Sequence, residues 1–332
     1  MKSDGTLIIK RHEIAALLTL DECIAAVEQA FKLNVEGQSL PPGVLESLRP
    51  DGGFHIKAAG LKLAGRTYFA AKVNGNFFHN IRRFGMPNIQ GVIVLCDGEN
   101  GYPLALMDSV EITIVRTGAA TAVAAKYLAR PDSKVATVCG CGNQGRIQIR
   151  ALTRVLPLER VYAYDIDGAQ ADGFAHDLSA ELQIEVKPVR DLLSAVAGSD
   201  ICVTCTPSRH SFLKREHVNA GTFIAAVGAD NPLKQELDPD LMVSNKIVVD
   251  ILEQCAMIGD LRHALEKGVI TRADVHAELG EIVAGRKPGR TSEEEVTIFD
   301  STGTALQDVA AAAIVYEKAA GAGIGLELNL TE

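Results

Sequence analysis

The stretch Gly140-Cys141-Gly142-Asn143-Gln144-Gly145 sets three glycines at the spacing G-x-G-x-x-G. The first glycine of such a loop permits a tight turn, the second lets backbone approach a pyrophosphate, and the third lets a helix pack closely on a strand. In a chain with 30 glycines the pattern alone says little. Its context says more: it follows the apolar run 134–138 and opens a helix-like stretch at 143–155, whose N-terminus faces the anion. Asp165 stands twenty residues after Gly145, where the next apolar run, 161–164, ends. A carboxylate there accepts hydrogen bonds from the adenosine ribose hydroxyls and repels a 2′-phosphate, so the site reads as one for NAD in preference to NADP.

An anionic substrate beside such a cofactor needs cations, and four stand out: Arg49, Lys57, Lys72 and Arg116. Lys72 lies in an apolar strand-like run (YFAAKVNG) and Arg116 one turn into an apolar helical stretch (EITIVRTGAATAVAAKYLA). A charge in such surroundings meets an anion or bears a large desolvation cost. The bland reading, a side chain reaching solvent or a surface partner, weighs more on Arg49 and Lys57 than on the other two. Asp230 follows the apolar run 222–227 and Gly228, at the carboxyl end of an expected parallel strand, where open α/β sheets bind ligands. A carboxylate there holds an amine or directs a proton; its plain alternative is a solvated loop residue. Cys139-x-Cys141 and Cys202-x-x-Cys205 tempt a metal reading, but no histidine cluster completes a tetrahedral set, so no metal is expected.

These groups need elements to hold them. Residues 21–35 carry apolar positions at helical spacing behind Asp21, placed to cap or start the helix. Pro41-Pro42-Gly43 then breaks the chain, and strand-like runs follow at 68–73 and 91–96, separated by a loop over 74–88. Residues 97–101 (DGENG) read as a hairpin turn between 92–95 and 103–107. Strands joined by turns predict an antiparallel or mixed sheet, and an alanine-rich helix over 111–128 closes it at Arg130-Pro131. From there strands at 134–138, 161–164, 184–186, 201–204, 222–227 and 247–251, with helices at 143–155 and 168–181, predict a parallel, doubly wound sheet. A strand at 296–299 and an alanine-rich helix at about 304–320 come last.

At 332 residues the chain suits two domains of roughly 150 residues each. No apolar run approaches the ~18 residues of a membrane span. Residues 1–13 mix Lys2, Asp4, Lys10, Arg11 and Glu13 and lack the apolar core of a signal segment. A net charge of −9 argues against nucleic acid as a partner. Seven cysteines, mostly inside apolar runs, suit a reducing cytoplasm. The expectation is a soluble cytoplasmic protein with a small-molecule substrate.

Lys72-Val-Asn-Gly, Gly101-Tyr-Pro-Leu-Ala, Arg116-Thr-Gly-Ala-Ala, the 140–145 loop, Ala226-Val-Gly-Ala-Asp230, Lys234-Gln-Glu-Leu and Phe299-Asp-Ser-x-Gly303 share an order and spacing. In these the sequence resembles the ornithine cyclodeaminase/μ-crystallin family over nearly its whole length. The resemblance implies an α/β fold: a Rossmann NAD-binding domain, 116–303, inserted into an α+β substrate-binding and dimerisation domain, 1–115 plus 304–332. It also implies a homodimer formed through the N-terminal sheet. By resemblance Arg49, Lys72 and Arg116 hold a substrate α-carboxylate, and Asp230 is the catalytic carboxylate near the amine, with Lys72 beside it in the chemistry. Asn88, Arg116, Asn143, Gln144, Asp165, Thr204, Val227, Lys234 and Ser301 contact the cofactor alongside Gly140, Gly142 and Gly145.

Three activities occur in that family. An imine or ketimine reductase, or amino-acid dehydrogenase, exchanges hydride between substrate Cα and nicotinamide. A cyclodeaminase turns ornithine into proline and ammonia with catalytic NAD. A μ-crystallin-like binding protein lacks the aspartate that stands here as Asp230. Ornithine cyclodeaminase holds the distal amine with a glutamate on the strand before the lysine strand. The matching stretch here is Gly53-Phe-His-Ile-Lys57-Ala-Ala, without an acid. Lys57 has the wrong charge for an ammonium and the right one for a second carboxylate, which tilts the reading toward the reductase or dehydrogenase.

Overall fold

The computed structural model describes residues 5–77 and 79–330. Lys2 and Asp4 of the charged N-terminal stretch, Phe78 in the 74–88 loop, and residues 331–332 lie outside the described residues. The chain divides into two compact units, one running through Arg116 and resuming at Thr304, the other spanning Thr117–Gly303. The first division falls inside the helix Ser109–Leu128.

The first unit contains a mixed sheet. Its strands are β1 (Thr6–Ile9), β2 (Ser39–Arg49), β3 (Gly52–Leu63), β4 (Arg66–Phe77), β5 (Ile89–Asp97) and β6 (Pro103–Asp108), with a short strand Leu326–Leu328. Their order is Leu326–Leu328, β1, β6, β5, β4, β3, β2, and only the β1–β6 pair is parallel among the described residues. Sequence patterning missed β2, because Pro41 and Pro42 read as a break, and β3 was placed as a strand by the family resemblance alone. As an edge strand β2 tolerates both: its register with β3 shifts between Leu40 and Gly43, and a missing N–H costs least at an edge. The expected 74–88 loop is shorter than predicted, since β4 runs to Phe77 and the helix Asn80–Phe84 occupies its middle.

Alternation along β3 and β4 sends Lys57, Ala59 and Leu61 to the same face as Lys72, Ala70 and Tyr68, and all six are buried. The helix Ala305–Ala322 packs over these strands and against the helix Leu20–Val35. Nine consecutive residues from Ala305 to Ala313 are buried, and the run of alanines lets the helix approach closely. Helix Leu20–Val35 is capped by Thr19, not by Asp21: the Glu22 N–H donates to the Thr19 hydroxyl oxygen, and the Thr19 N–H donates to the Glu22 carboxylate. Asp21 sits in the first turn, where the helix dipole favours a negative charge. The opposite face of the sheet is apolar and open, with Leu45, Phe54 and Val92 exposed.

The second unit holds an all-parallel sheet of β7 (Val135–Cys139), β8 (Arg160–Tyr164), β9 (Glu185–Pro188), β10 (Ile201–Thr204), β11 (Phe223–Ala226), β12 (Lys246–Val249), β13 (Val275–Glu278) and β14 (Thr297–Asp300). The order is β13, β12, β14, β11, β10, β7, β8, β9. From β7 the chain builds outward through β8 to β9, then crosses to β10 on the other side of β7. That reversal opens a crevice at the carboxyl ends of β7 and β10. Strand β13 escaped the sequence reading because His276 and Glu278 interrupt its apolar pattern.

Candidate active site

The three glycines of the loop after β7 each meet a separate steric demand. Gly140 has φ +102°, and its N–H donates to the Tyr164 carbonyl at 2.9 Å. A Cβ on Gly142 would meet nothing within 4 Å, so its backbone stands open to a ligand. A Cβ on Gly145 would lie 2.1 Å from the Gly140 oxygen, which no side chain survives. Gly142 starts the helix Asn143–Leu152 without a side-chain cap, leaving its first N–H groups for an anion. Asp165, just past β8, accepts the Cys141 N–H on Oδ2 at 2.8 Å and the Asp167 N–H on Oδ1 at 2.9 Å. Each oxygen keeps a lone pair for a ribose hydroxyl. At the ends of β10 and β11 the Val227 N–H donates to the Thr204 carbonyl at 2.9 Å. These residues fit NAD.

The first unit gathers three buried cations around one acid. Lys57 and Lys72 face each other directly across β3 and β4. Asp308, in the first turn of helix Ala305–Ala322, accepts from Lys72 Nζ at 2.9 Å and from Arg116 Nε at 3.0 Å. Arg116 Nη1 donates to Gln307 Oε1 at 2.7 Å, and Lys72 Nζ reaches the Thr113 hydroxyl at 3.4 Å. All three cations are at most 6% exposed and Asp308 is 1% exposed. Burial pushes the Lys72 ammonium down to about 7; Asp308 opposes this, while the charges of Arg116 and Lys57 add to it. Burial on its own raises the Asp308 carboxyl, yet Lys72, Arg116 and Lys57 bring it below the usual carboxylate range.

Two rungs from Lys57, on the same face, His55 Nδ1 lies 2.8 Å from Glu46 Oε1. Asn74, opposite His55, accepts from the Ser109 hydroxyl at 2.6 Å. Sequence reasoning passed over His55, Glu46, Asn74 and Asp308. The alternate spacings His55-x-Lys57 and Lys72-x-Asn74 carry the signal for two of them. The signal for Asp308 is a lone acid in an otherwise apolar helix.

The structure does not bring Arg49 to this cluster. It is exposed and lies five positions past Val44, the partner of Lys57, so alternation turns it to the other face. There it lines a cleft of about 520 Å³ with Asp51, His79 and Arg83. Asn88 braces the short helix Asn80–Phe84, accepting the Ile81 N–H on its side chain at 3.3 Å. The Ser301 hydroxyl donates to Asp250 at 3.2 Å. Asn143 is exposed at the helix start, with Gln144 partly covered beside it.

Asp230 follows β11 with its side chain 46% exposed. Lys234 Nζ donates to Asp230 Oδ1 at 2.7 Å and to the Gly228 carbonyl at 3.0 Å, so this lysine is committed to the loop that carries the aspartate. Behind them Glu236 is fully buried, another residue the sequence reading did not single out. Burial, with the neighbouring charge of Asp260, pushes its carboxyl well up.

Parallel sheets that reverse beside a glycine loop bind dinucleotides, and the second unit is of this class. The chain as a whole belongs to the ornithine cyclodeaminase/mu-crystallin family, whose profile matches residues 5–323. It is 42% identical to alanine dehydrogenase of Archaeoglobus fulgidus over 327 residues, 98% of each chain. A solved archaeal alanine dehydrogenase, a dimer with bound NAD, superposes with a TM-score of 0.93 at 41% identity, covering 98% of this chain and 99% of that one. The iminosuccinate reductase of Paracoccus denitrificans, solved with NAD+, gives a TM-score of 0.88 at 33% identity, covering 98% and 100%.

Two outcomes are expected from this geometry. Replacing Asp165 by serine together with Ile166→Arg, at the 96% exposed neighbour, turns the preference from NADH toward NADPH; equal binding of both by the unaltered protein contradicts the assignment. A bound carboxylate favours the Lys72 ammonium, so above pH ~7 the free site takes up a proton before it binds. The affinity for pyruvate, followed by calorimetry, should stay level below pH 7 and fall about tenfold per unit above it. Lys72→Met should weaken binding and flatten this profile.

Proposed function

We propose that the protein is an NAD-dependent oxidoreductase of the Cα–N bond, an imine reductase or amino-acid dehydrogenase. The observation that carries this is Asp230, a half-exposed carboxylate at the end of a parallel strand in a dinucleotide-binding sheet. Its supporting context is a chain 42% identical to an alanine dehydrogenase along nearly its full length. NAD, when bound, exchanges a hydride with the substrate carbon. Arg116, with its fork fixed by Asp308 and Gln307, and Lys72 hold the α-carboxylate and so fix Cα. Asp230 steadies the positive iminium and manages the proton at its nitrogen, which balances the hydride at Cα. In the oxidative direction the same carboxylate directs water onto the iminium carbon, releasing ammonia and an oxo acid.

Lys57, buried opposite Lys72, suits a second carboxylate, so the favoured substrates are dicarboxylic imino acids. Glu46 favours a second reading. It lies on the same face, and released from His55 it holds the distal ammonium of a diamino acid, which then cyclises as in a cyclodeaminase.

The test is NADH oxidation with pyruvate plus ammonia, oxaloacetate plus ammonia and cyclic imines, beside ornithine with NAD. Asp230→Asn should lower kcat about a thousandfold while NADH still binds. Lys57→Met should cost the oxaloacetate reaction about a hundredfold more than the pyruvate reaction. A near wild-type Asp230→Asn enzyme removes this residue from the chemistry, and proline formed from ornithine moves the protein to the second reading.

The protein is further expected to be a homodimer, built on the open face of the first sheet where Leu45 is 64% exposed, Phe54 45% and Val92 39%. Sedimentation should show a dimer at micromolar concentration and a monomer once Leu45 and Val92 are both aspartate. A monomeric unaltered protein refutes the assignment.

A further inference from the structure

Glu236 ties together two loops that leave adjacent parallel strands. Its Oε1 accepts the Thr206 N–H at 2.6 Å and the Thr206 hydroxyl at 2.7 Å, just past β10. Its Oε2 accepts the Gly228 N–H at 3.0 Å, just past β11. The fit is close: a Cβ on Gly228 would stand 2.4 Å from that oxygen. The backbone that carries this side chain is itself held: the Glu236 N–H donates to Asp260 Oδ1 at 2.8 Å and its carbonyl accepts the Phe212 N–H at 2.9 Å. Gly228 is thus gripped at both ends, by Glu236 on its N–H and by Lys234 on its carbonyl, and the same Lys234 ammonium holds Asp230.

We infer that Glu236 is a positioning residue for Asp230, setting through Gly228 and Lys234 where the Asp230 carboxylate stands relative to the loop after β10. This rests on the proposed role of Asp230. Three donors converge on the Glu236 carboxyl, and both of its oxygens serve as acceptors. An amide of the same shape has one acceptor oxygen and an NH2 that must face either Gly228 or Thr206, donor against donor. One loop is then released while the fold around it remains.

The experiment uses the full-length protein and follows NADH oxidation with whichever oxo acid and ammonia it turns over. Glu236→Gln should lower kcat by about thirtyfold or more, with the NADH dissociation constant, read by fluorescence, within about threefold of the unaltered protein. Added to Asp230→Asn it should cost nothing more, because it acts through that residue. A normal kcat, a multiplied loss in the double variant, or NADH affinity falling in step with kcat overturns the inference. Thr206→Val, which removes the hydroxyl contact and keeps the N–H, gives a milder case should Glu236→Gln not fold. A severalfold loss of kcat with unchanged NADH affinity supports the role, and an unchanged kcat overturns it. An active Asp230→Asn enzyme refutes the underlying function instead, and is told apart because that single variant reports on it alone.

Discussion

Three cations withdrawn from water around the carboxylate of Asp308 govern the build of the first unit. A buried charge is tolerated only beside an opposite one with good hydrogen-bond geometry, and here two cations reach Asp308 within 3.0 Å. That requirement explains why the helix Ala305–Ala322 is so rich in alanine: it has to bring Asp308 down onto β3 and β4. It also fixes register, since sliding β3 by one residue would turn Lys57 to the open face. Burial above all depresses the Lys72 ammonium, and the charges of Arg116 and Lys57 add to it.

The second unit uses buried acids differently. Asp260 accepts the N–H groups of Glu236 and Leu237, Asp300 accepts that of Leu261, and Asp250 accepts those of Ile251 and Gly303. These carboxylates clamp backbone where loops leave the sheet; burial pushes both Asp300 and Asp260 upward, and the charges of Asp260 and Asp250 raise Asp300 further. The loops of the dinucleotide crevice are therefore held from beneath, leaving their outer surfaces to a ligand. The glycine contacts complete the frame, with Gly145 pressed against Gly140 and Gly142 left open.

Local pattern carried the second unit well. Its strands are buried runs between glycines and polar turns, so the alternation of strand and helix, the loop at Gly140 and the acid at Asp165 were readable from the chain. The first unit was less legible, for physical reasons. The strand character of β2 and β3 depends on pairing, which overrides the proline signal at Pro41 and Pro42. Whether Arg49 or His55 faces the lysines is a matter of register, invisible until the strands are known. Asp308 and Glu236 act on residues far along the chain or across loops, and no window of sequence contains both partners. Lys72 and Arg116 were found because a charge inside an apolar run is anomalous by itself.

The separation between Asp308 and its partners has a consequence for synthesis. Lys72 and Arg116 precede it by 236 and 192 residues. On the ribosome β4 with Lys72 and the helix Ser109–Leu128 with Arg116 emerge long before the acid that neutralises them, and the whole second unit, contiguous in sequence, comes between. The first unit thus waits, half-built and positively charged inside, for the helix Ala305–Ala322 to close it. A polypeptide cut short before Asp308 would contain the whole sequence of the second unit and lack the acid that Lys72 and Arg116 bind in the first.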